Sequence, residues 1–540
     1  MAKPNPGGSS APLETELKLR GAPETLLRLW RALPQAGSAG APRIKDLEST
    51  YYDTADLRLR KRGLALRIRR DGARFLQTVK TGDTAASAVL IRGEWEGEVP
   101  SPEPRPEIVD DPAIRAELDL ISPGDLRPVF TTRVHREVMQ VNGTDSLGRP
   151  RTIEAAFDRG EIEASGIREP LAEIELELLQ GPPRALFDLA LTLQDIAPTR
   201  IETRSKSARG YALATGRKPT WQRAEALKLT ARMRADDALA AILGACLRHW
   251  TANEAAVLES GDPEGVHQLR IGLRRFRSAL SVFGDLLPQE TLQWLKTEAK
   301  WTLNALGAAR DWDVFQADLL APLEAHYPGD PGMAALRAAA QDRRAEAYRQ
   351  ACEALSAPRY TRFLLRLGAW LEDRGWHCAE LAPEQAKALK RPLPDLAAAL
   401  QTRRHRKTLK LGKGFKTLSA AERHRLRIAV KQLRYTTEFL RGLYPAKRAR
   451  RYLAALHDLQ DSLGHLNDVT IAEHLLAELT RNAGRGKAAG QLHQAAGRMV
   501  GWYGRALLDF EPDMRRTWKS FAASDPFWKK PRKPGRKQKA

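Results

Sequence analysis

Short alternating runs of apolar and charged residues fill the first two fifths of the chain. LETELKL (13–19), LALRIR (64–69), FLQTVK (75–80) and AEIELEL (172–178) are examples, separated by Gly and Pro. Period-two alternation predicts strands with one apolar face. Beyond about residue 216 the pattern changes. Stretches 232–259, 267–284, 290–307 and 421–443 are rich in Ala and Leu, studded with Arg, and periodic at helical spacing. A mostly β domain followed by an all-α domain is the coarse expectation, with the boundary in the Pro-containing segment 216–222.

Side chains alternate across a strand, so Glu14, Glu16 and Lys18 share a face opposite Leu17 and Leu19. Arg67 and Arg69 share a face, as do Thr78 and Lys80, Arg92, Glu94 and Glu96, and Glu173, Glu175 and Glu177. One reading is an antiparallel sheet with a solvated charged face. The other is a closed barrel with a polar lumen, and the segregation of charge into acidic and basic strands favours it. Such a lumen suits a highly charged anion held with metal ions. Carboxylates alone are the donors that Mg²⁺ or Mn²⁺ prefer, and Arg and Lys supply phosphate clamps.

The helical half contains a repeat at an offset of 157 residues: HQLRIGLRRFRSAL from His267 and HRLRIAVKQLRYTT from His424. LGAARDWDV (306–314) matches LGHLNDVTI (463–471) at the same offset. A duplicated helical unit is therefore predicted. His267, Arg270, Arg274 and Arg277 project from one helix face, and His424, Arg427, Lys431 and Arg434 repeat it. No acidic residue lies between His267 and Arg277, or between His424 and Arg434. A merely solvated helix intersperses Glu to relieve such repulsion, so a paired anion-binding groove is expected.

Charge sharpens this division. The chain of 540 residues carries 88 Lys+Arg and 66 Asp+Glu, a net charge of +22. Residues 1–215 hold 31 basic and 32 acidic side chains, so the surplus belongs to the helical half. Polyanionic partners follow. Two basic segments, 403–416 and the tail 524–540, read as flexible arms that add salt-dependent attraction. The basic helices lack interleaved aromatics, so no specific nucleic acid is expected. No apolar run reaches the length of a membrane span. The opening MAKPNPGGSSAP lacks an apolar signal core, and the three cysteines form neither a disulfide framework nor a zinc site. A cytoplasmic setting is expected. There is no glycine loop of the Walker type, and the lone His135 of the first half reads as structural.

The strand-rich half resembles the CYTH superfamily, the triphosphate tunnel metalloenzymes. ExExK at Glu14, Glu16 and Lys18 is followed in order by YYDT (51–54), GLALRIR (63–69) and TVK (78–80). RGEWE (92–96), TTRVHRE (131–137), FDRGEI (157–162), AEIELEL (172–178) and SKSARGYAL (205–213) complete the series. The resemblance implies an eight-stranded antiparallel β tunnel with flanking helices over residues 12–215. It implies hydrolysis of inorganic triphosphate to pyrophosphate and phosphate with Mg²⁺ or Mn²⁺. Glu14, Glu16, Glu173 and Glu175 are then metal-side carboxylates, with Lys18 beside them in catalysis. Lys18, Arg67, Arg69, Lys80, Arg136 and Lys206 form the phosphate clamp. Arg133 competes with Arg136, Glu177 extends the acidic face, and Asp158 and Glu94 are further acids near the metal.

The helical half, 225–510 after a linker at 216–224, resembles the CHAD domain. That resemblance implies binding of inorganic polyphosphate, without catalysis, by His267, Arg270, Arg274, Arg277, His424, Arg427, Lys431 and Arg434. Asn467 stands where the first repeat has Arg310. The chain is thus expected to be a multidomain α+β triphosphatase with a polyphosphate-binding module. The alternatives are a non-catalytic, granule-associated polyphosphate binder, or a tunnel enzyme acting on thiamine triphosphate or cyclising ATP; the resemblance also implies association with polyphosphate granules in the cytoplasm.

Overall fold

A computed structural model describes residues 13–81, 84–86, 89–378, 380–481 and 483–528. It forms two compact units. The first comprises the described residues up to Thr220 together with Glu254–Ser260 and Leu355–Gly375. The second comprises Trp221–Asn253, Gly261–Ala354 and the described residues from Trp376 onward.

The first unit is built on one antiparallel sheet. Its main strands are β1 (Leu13–Arg20), β2 (Arg43–Asp53), β3 (Leu64–Asp71), β4 (Arg74–Thr81), β5 (Val89–Val99), β6 (Arg127–Thr144), β7 (Pro150–Ala164) and β8 (Ile167–Gln180). They pair in the order β1-β8-β7-β6-β2-β3-β4-β5, and a short ladder pairs β5 back with β1 through Leu13–Glu16 and Leu90–Gly93. Eight strands thus follow one another in a ring, which leaves a lumen between the inward faces.

The alternation seen in the sequence now has its cause. Leu17 and Leu19 of β1 point outward and are fully buried. They lie under α1 (Pro23–Ala32) and α2 (Arg184–Ile196), which bury Leu26, Leu29, Leu186, Leu189 and Leu193. On another side Leu66 and Val79 pack with Leu59, Ile114 and Leu118. The apolar core therefore surrounds the ring, and the charged face is inside it.

Helix α3 (Lys206–Thr215) starts at Ser205, whose hydroxyl accepts from the Ala208 amide at 3.2 Å, and stops at Gly216 in the left-handed conformation. It seats on β6 and β7. Gly210 makes this possible: a Cβ there would stand 2.1 Å from the Phe130 ring. Phe130 in turn stacks on Tyr51 at 4.3 Å and meets Tyr211 edge-on at 5.2 Å. The Tyr211 hydroxyl donates to buried Asp53 at 2.9 Å, and Asp53 also receives the amides of Leu59 and Arg60. Through these contacts the end of α3 that carries Lys206 is fixed against the ring.

The second unit is helical and doubled. Helix α4 (Ala235–Thr251) packs on α5 (Pro263–Phe283), which packs on α6 (Gln289–Ala305), followed by α7 (Gly307–Val314). Helix α8 (Leu393–Leu411) packs on α9 (Ala420–Leu440), and α9 on α10 (Ala446–Arg481). The bounds of α9 are those of α5 shifted by 157 residues. Helix α8 overlays α4 at nearly the same shift, so the duplication begins one helix earlier than the sequence motifs mark it. This corrects the expectation of a flexible arm at 403–416: residues 403–411 end α8, with Arg404, His405 and Thr408 buried. Arg404 donates to Gln432 at 2.7 Å, and His405 meets the Tyr452 hydroxyl at 2.7 Å. The flexible tail expected over 524–540 is corrected at its start: Phe527 and Trp528 are buried in the helical core, and Trp528 Nε1 donates to Thr402 at 3.0 Å; the part from residue 529 lies outside the described residues. Among the described residues no helix is long and apolar enough to cross a membrane.

Candidate functional sites: a charged tunnel and a basic helix pair

The lumen of the ring is a cavity of about 340 Å³ lined by eight acidic and eight basic side chains. Strand register sets which charges oppose. Lys18 stands across from Glu175, Glu16 from Glu177, Glu173 from Asp158, and Glu177 from Glu154. Arg136 stands across from Asp158, Arg67 from Tyr51, and Lys80 from Glu94. Unlike pairs across a ladder stabilise it by a few tenths of a kcal/mol, and like pairs oppose it. The three acid–acid pairs therefore have to be relieved by cations from elsewhere.

One set is relieved by the protein itself. Lys206 Nζ lies 2.5 Å from Glu173, 2.8 Å from Glu175 and 2.7 Å from Asp158. Arg136 grips Asp158 with two hydrogen bonds of 2.7 and 2.6 Å and reaches Glu175 with the same guanidinium. Lys18 adds a bond of 2.5 Å to Glu175. Burial pushes Glu175 up, yet Lys18, Lys206 and Arg136 hold its carboxyl well below the usual range. Asp158 is likewise lowered by Arg136 and Lys206 against its burial. Asp158, Glu173 and Glu175 bring carboxylate oxygens within 4.8 Å of one another, a group able to hold a metal ion.

A second acidic set gathers around Glu177. Burial first, then Glu14, Glu154 and Glu16, push the Glu177 carboxyl up to about 7. Lys80 bridges Glu14 at 2.9 Å and Glu94 at 2.8 Å, and Lys18 lies 3.3 Å from Glu16. The neighbouring carboxylates that raise Glu177 mark a place that favours added positive charge, and an all-oxygen donor set fits a hard divalent cation.

The basic side of the lumen shows the converse. The Nε–H groups of Arg67 and Arg69 are buried and meet no acceptor. Burial, then Arg67 and Arg136, bring Arg69 down to about 10. Tyr51 lies against Arg67, and despite full burial its phenol is lowered by Arg67, Arg69 and Lys206. Cations crowded together with Nε–H groups still unsatisfied mark the place for an anion.

Of the tunnel residues singled out in the sequence, Glu14, Glu16, Lys18, Arg67, Arg69, Lys80, Arg136, Glu175 and Lys206 line this cavity. Glu94, Asp158 and Glu177 line it too. Glu173 does not: it is fully buried against Lys206 and Arg209. Arg133 points to the opposite face of β6, paired with Glu161 and Glu163, and His135 bonds Asp46 there at 2.8 Å. The Arg92 side chain lies outside the described residues. The sequence reading missed Tyr51, Arg43, Lys45 and Glu154 as lining residues. Glu154 shares the strand face of Asp158 by period two, so continuing that count four residues back would have found it.

In the second unit α5 and α9 pack together and their basic faces meet. Burial, then Arg427 and Arg274, lower Lys431 to about 7, so charges of both repeats act on one group. Burial and then Arg274 lower Arg270 to about 10, and burial with Arg310, Arg274 and Arg270 lowers His267 to about 4. His267 Nδ1, Arg270 Nε and Arg274 Nε are buried without an acceptor. The remaining motif positions differ. Arg434 is paired with Glu438 at 2.6 Å and Gln460 at 2.8 Å, His424 is exposed, and Arg277 is lowered by burial alone. The sequence reading used Arg310, Asp311 and Asp468 only to align the repeats. All three act electrostatically on this cluster. The Asn467 side chain lies outside the described residues.

Known proteins resemble both units. The CYTH domain model matches residues 12–211, and the CHAD domain model matches residues 241–477. An inorganic triphosphatase of Haemophilus influenzae is 32% identical over 175 residues, 31% of this chain and 46% of that protein. The chain thus spans about half the length of this curated relative. The crystal structure of the CHAD domain from the plant Ricinus communis is 36% identical, over 56% of this chain and 96% of that one, with a TM-score of 0.48. A putative adenylyl cyclase from Hippeastrum, described as having a dominant triphosphatase activity, is 21% identical over 37% of this chain and 95% of that one, with a TM-score of 0.29.

Proposed function

We propose, because a CYTH domain model matches residues 12–211 and a CHAD domain model residues 241–477, that the first unit hydrolyses inorganic triphosphate and the second binds inorganic polyphosphate. The observation that carries the first reading is the lumen itself. Arg67 and Arg69 hold buried Nε–H groups without an acceptor in the same cavity where Glu14, Glu16 and Glu154 crowd Glu177 with like charge. A phosphate chain carried in with a divalent cation answers both imbalances at once.

Glu14, Glu16 and Glu175 would supply oxygens for Mg²⁺ or Mn²⁺, with Glu177 continuing that face; the Asp158–Glu173–Glu175 group already holds the Lys206 ammonium. Glu173, closed off under α3, holds Lys206 and Arg209. The ion, when bound, supplies Lewis-acid polarisation of phosphoryl oxygens and acidification of water. The rest is done by the chain. Arg67 and Arg69 offer forked donors to phosphoryl oxygens, and Arg136, Lys18, Lys80 and Lys206 add charge along the lumen. These groups are positioned before substrate arrives, so little reorganisation opposes the charge that moves onto the leaving phosphate. Lys18, Arg67 and Lys206 are themselves buried, which strengthens each contact they make.

The deciding experiment measures phosphate release from triphosphate, thiamine triphosphate and ATP with Mg²⁺ or Mn²⁺. Inorganic triphosphate is expected to be turned over with the highest kcat/KM. Turnover confined to ATP with cyclic nucleotide as product overturns the reading in favour of a cyclase. No turnover of any of the three favours a non-catalytic polyphosphate binder.

Polyphosphate binding by the second unit rests on the shared cluster of α5 and α9. Its pH dependence follows from Lys431. The free side chain loses its proton near pH 7, whereas a bound polyanion favours the charged form. Binding therefore takes up a proton above that pH. Affinity is expected to fall as pH rises from 6 to 8.5, by at most about tenfold per unit. Lys431→Arg keeps its charge throughout and should flatten the profile. Calorimetric titration at several pH values checks both.

A further inference from the structure

Lys206 does not hold its position in the tunnel alone. The residues just before it are gripped by two chain segments that come much later and lie within the CHAD-matched range. Both segments are part of the first compact unit. Segment Glu254–Ser260 contributes Glu259, whose carboxylate receives both terminal nitrogens of Arg204 at 2.6 and 2.9 Å. Segment Leu355–Gly375 contributes Thr361, which donates to the Thr199 carbonyl at 2.9 Å. Arg362 of the same segment donates to the Gln194 carbonyl at 3.2 Å and pairs with Asp195.

Arg204 is the centre of this arrangement. Besides Glu259 it binds Glu202, whose carboxylate also accepts the Arg204 amide at 3.0 Å and Arg20 at 3.2 Å. Glu202 is buried, and its amide donates to the Lys18 carbonyl at 2.9 Å. The turn 202–205 therefore links the backbone of Lys18 on β1 to the start of α3, where Lys206 projects onto Asp158, Glu173 and Glu175. A two-residue strand at Arg200–Ile201, paired with Leu19–Arg20, leads into this turn, and from there to the start of α3 its shape is held by the Glu202 and Arg204 side-chain contacts. The Arg204–Glu259 pair is bidentate, the geometry in which an ion pair fixes orientation as well as distance.

We propose that Glu259 is a positioning residue for Lys206, so that a segment following the tunnel sequence completes its phosphate clamp. Glu259 touches neither the cavity nor any group expected to meet substrate; it acts through Arg204 on the turn that aims Lys206. The proposal rests on the triphosphatase reading for its activity readout, and hydrogen exchange supplies a readout independent of it.

The test uses the full chain. Glu259→Gln keeps the shape and removes the charge; it is expected to lower kcat/KM for triphosphate about tenfold, because small misplacements of a binding group are costly. Glu259→Asp should recover part of that loss. In a Lys206→Ala background Glu259→Gln should cost nothing further, since the residue it positions is gone. Amide exchange in 203–215 should speed up in Glu259→Gln while the core strands keep their protection. An equal activity loss in both backgrounds, or unchanged exchange in 203–215, overturns the positioning role. A wild-type protein that releases no phosphate, yet shows the localised exchange change on substitution, overturns the triphosphatase reading and leaves the clamp standing.

Discussion

Glu16→Ala is expected to lower triphosphate hydrolysis about a thousandfold, equivalent to roughly 4 kcal/mol of transition-state stabilisation. Glu16 faces the lumen from β1, across the ladder from Glu177 and 3.3 Å from the Lys18 ammonium. Removing it takes away one of the few oxygens that can compensate a divalent cation at the crowded acidic end. It also releases Lys18 from one of its carboxylates. The fold should survive, and the sign of the stability change is informative. Glu16 is one of the charges that push Glu177 up to about 7, so its loss relieves repulsion among buried carboxylates. An unchanged or slightly raised melting temperature, together with the collapse in phosphate release, is the expected pair of results. Polyphosphate binding by the other unit should be untouched, which provides an internal control. Activity within tenfold of wild type would show that this carboxylate is not part of the working site.

The second large effect is expected from Arg270→Ala combined with Arg427→Ala: polyphosphate affinity should fall about a hundredfold. Truncating a desolvated charged group that meets a ligand commonly costs about 2 kcal/mol or more. The total here is moderated because these arginines repel one another before the ligand arrives. Arg270 is lowered to about 10 by burial and by Arg274, and Arg427 by burial and Arg274 against the pull of Asp468. For the same reason the free protein should not be destabilised by the charge loss itself, although Arg270 gives up its 2.8 Å bond to the Leu303 carbonyl. The slope of log affinity against log salt should decrease by about two, one for each arginine that no longer neutralises a phosphate. Isothermal titration at three salt concentrations measures both quantities. Unchanged affinity would place the polyanion away from the α5–α9 cluster. Triphosphate hydrolysis should be unaffected, complementing Glu16→Ala.

The two sites hold phosphate by different balances of charge. The tunnel wall carries equal numbers of acidic and basic residues, so it takes a phosphate chain together with its metal. The helix pair is mainly basic, with Asp311 and Asp468 acting against Arg270, Arg427 and Lys431 and Glu438 against Arg434, so its anion must supply most of the negative charge. The near-neutral first part of the chain and the surplus in the second express this difference in composition.

Much of this is legible in the order of residues alone. Period-two alternation places Glu14, Glu16 and Lys18 on one face and Leu17 and Leu19 on the other, because a strand has no other way to orient successive side chains. The 157-residue offset reveals the helical duplication, and helical spacing puts His267, Arg270 and Arg274 on one side of one helix. These are local consequences of backbone geometry, and local pattern suffices for them. What lies beyond local pattern is which strands become neighbours. Alternation shows that Glu177 shares a face with Glu175; only the ladder register sets Glu177 against both Glu16 and Glu154 and surrounds it with like charge. Alternation likewise gives Glu173 the same standing as Glu175, but α3 lies over one end of the lumen and turns Glu173 into a partner for Lys206 and Arg209. Repetition suggests that the two CHAD motifs act alike, whereas packing leaves His424 exposed and ties Arg434 to Glu438. The dependence of the Lys206 turn on Glu259, some fifty residues later, has no sequence signature, since a bidentate ion pair between distant segments exists only once the chain has brought them together. Sequence therefore determined the chemistry of each face and its doubling, because those follow from the periods of strand and helix. Tertiary structure decided which charges meet, because long-range pairing and burial set both their distances and the dielectric between them.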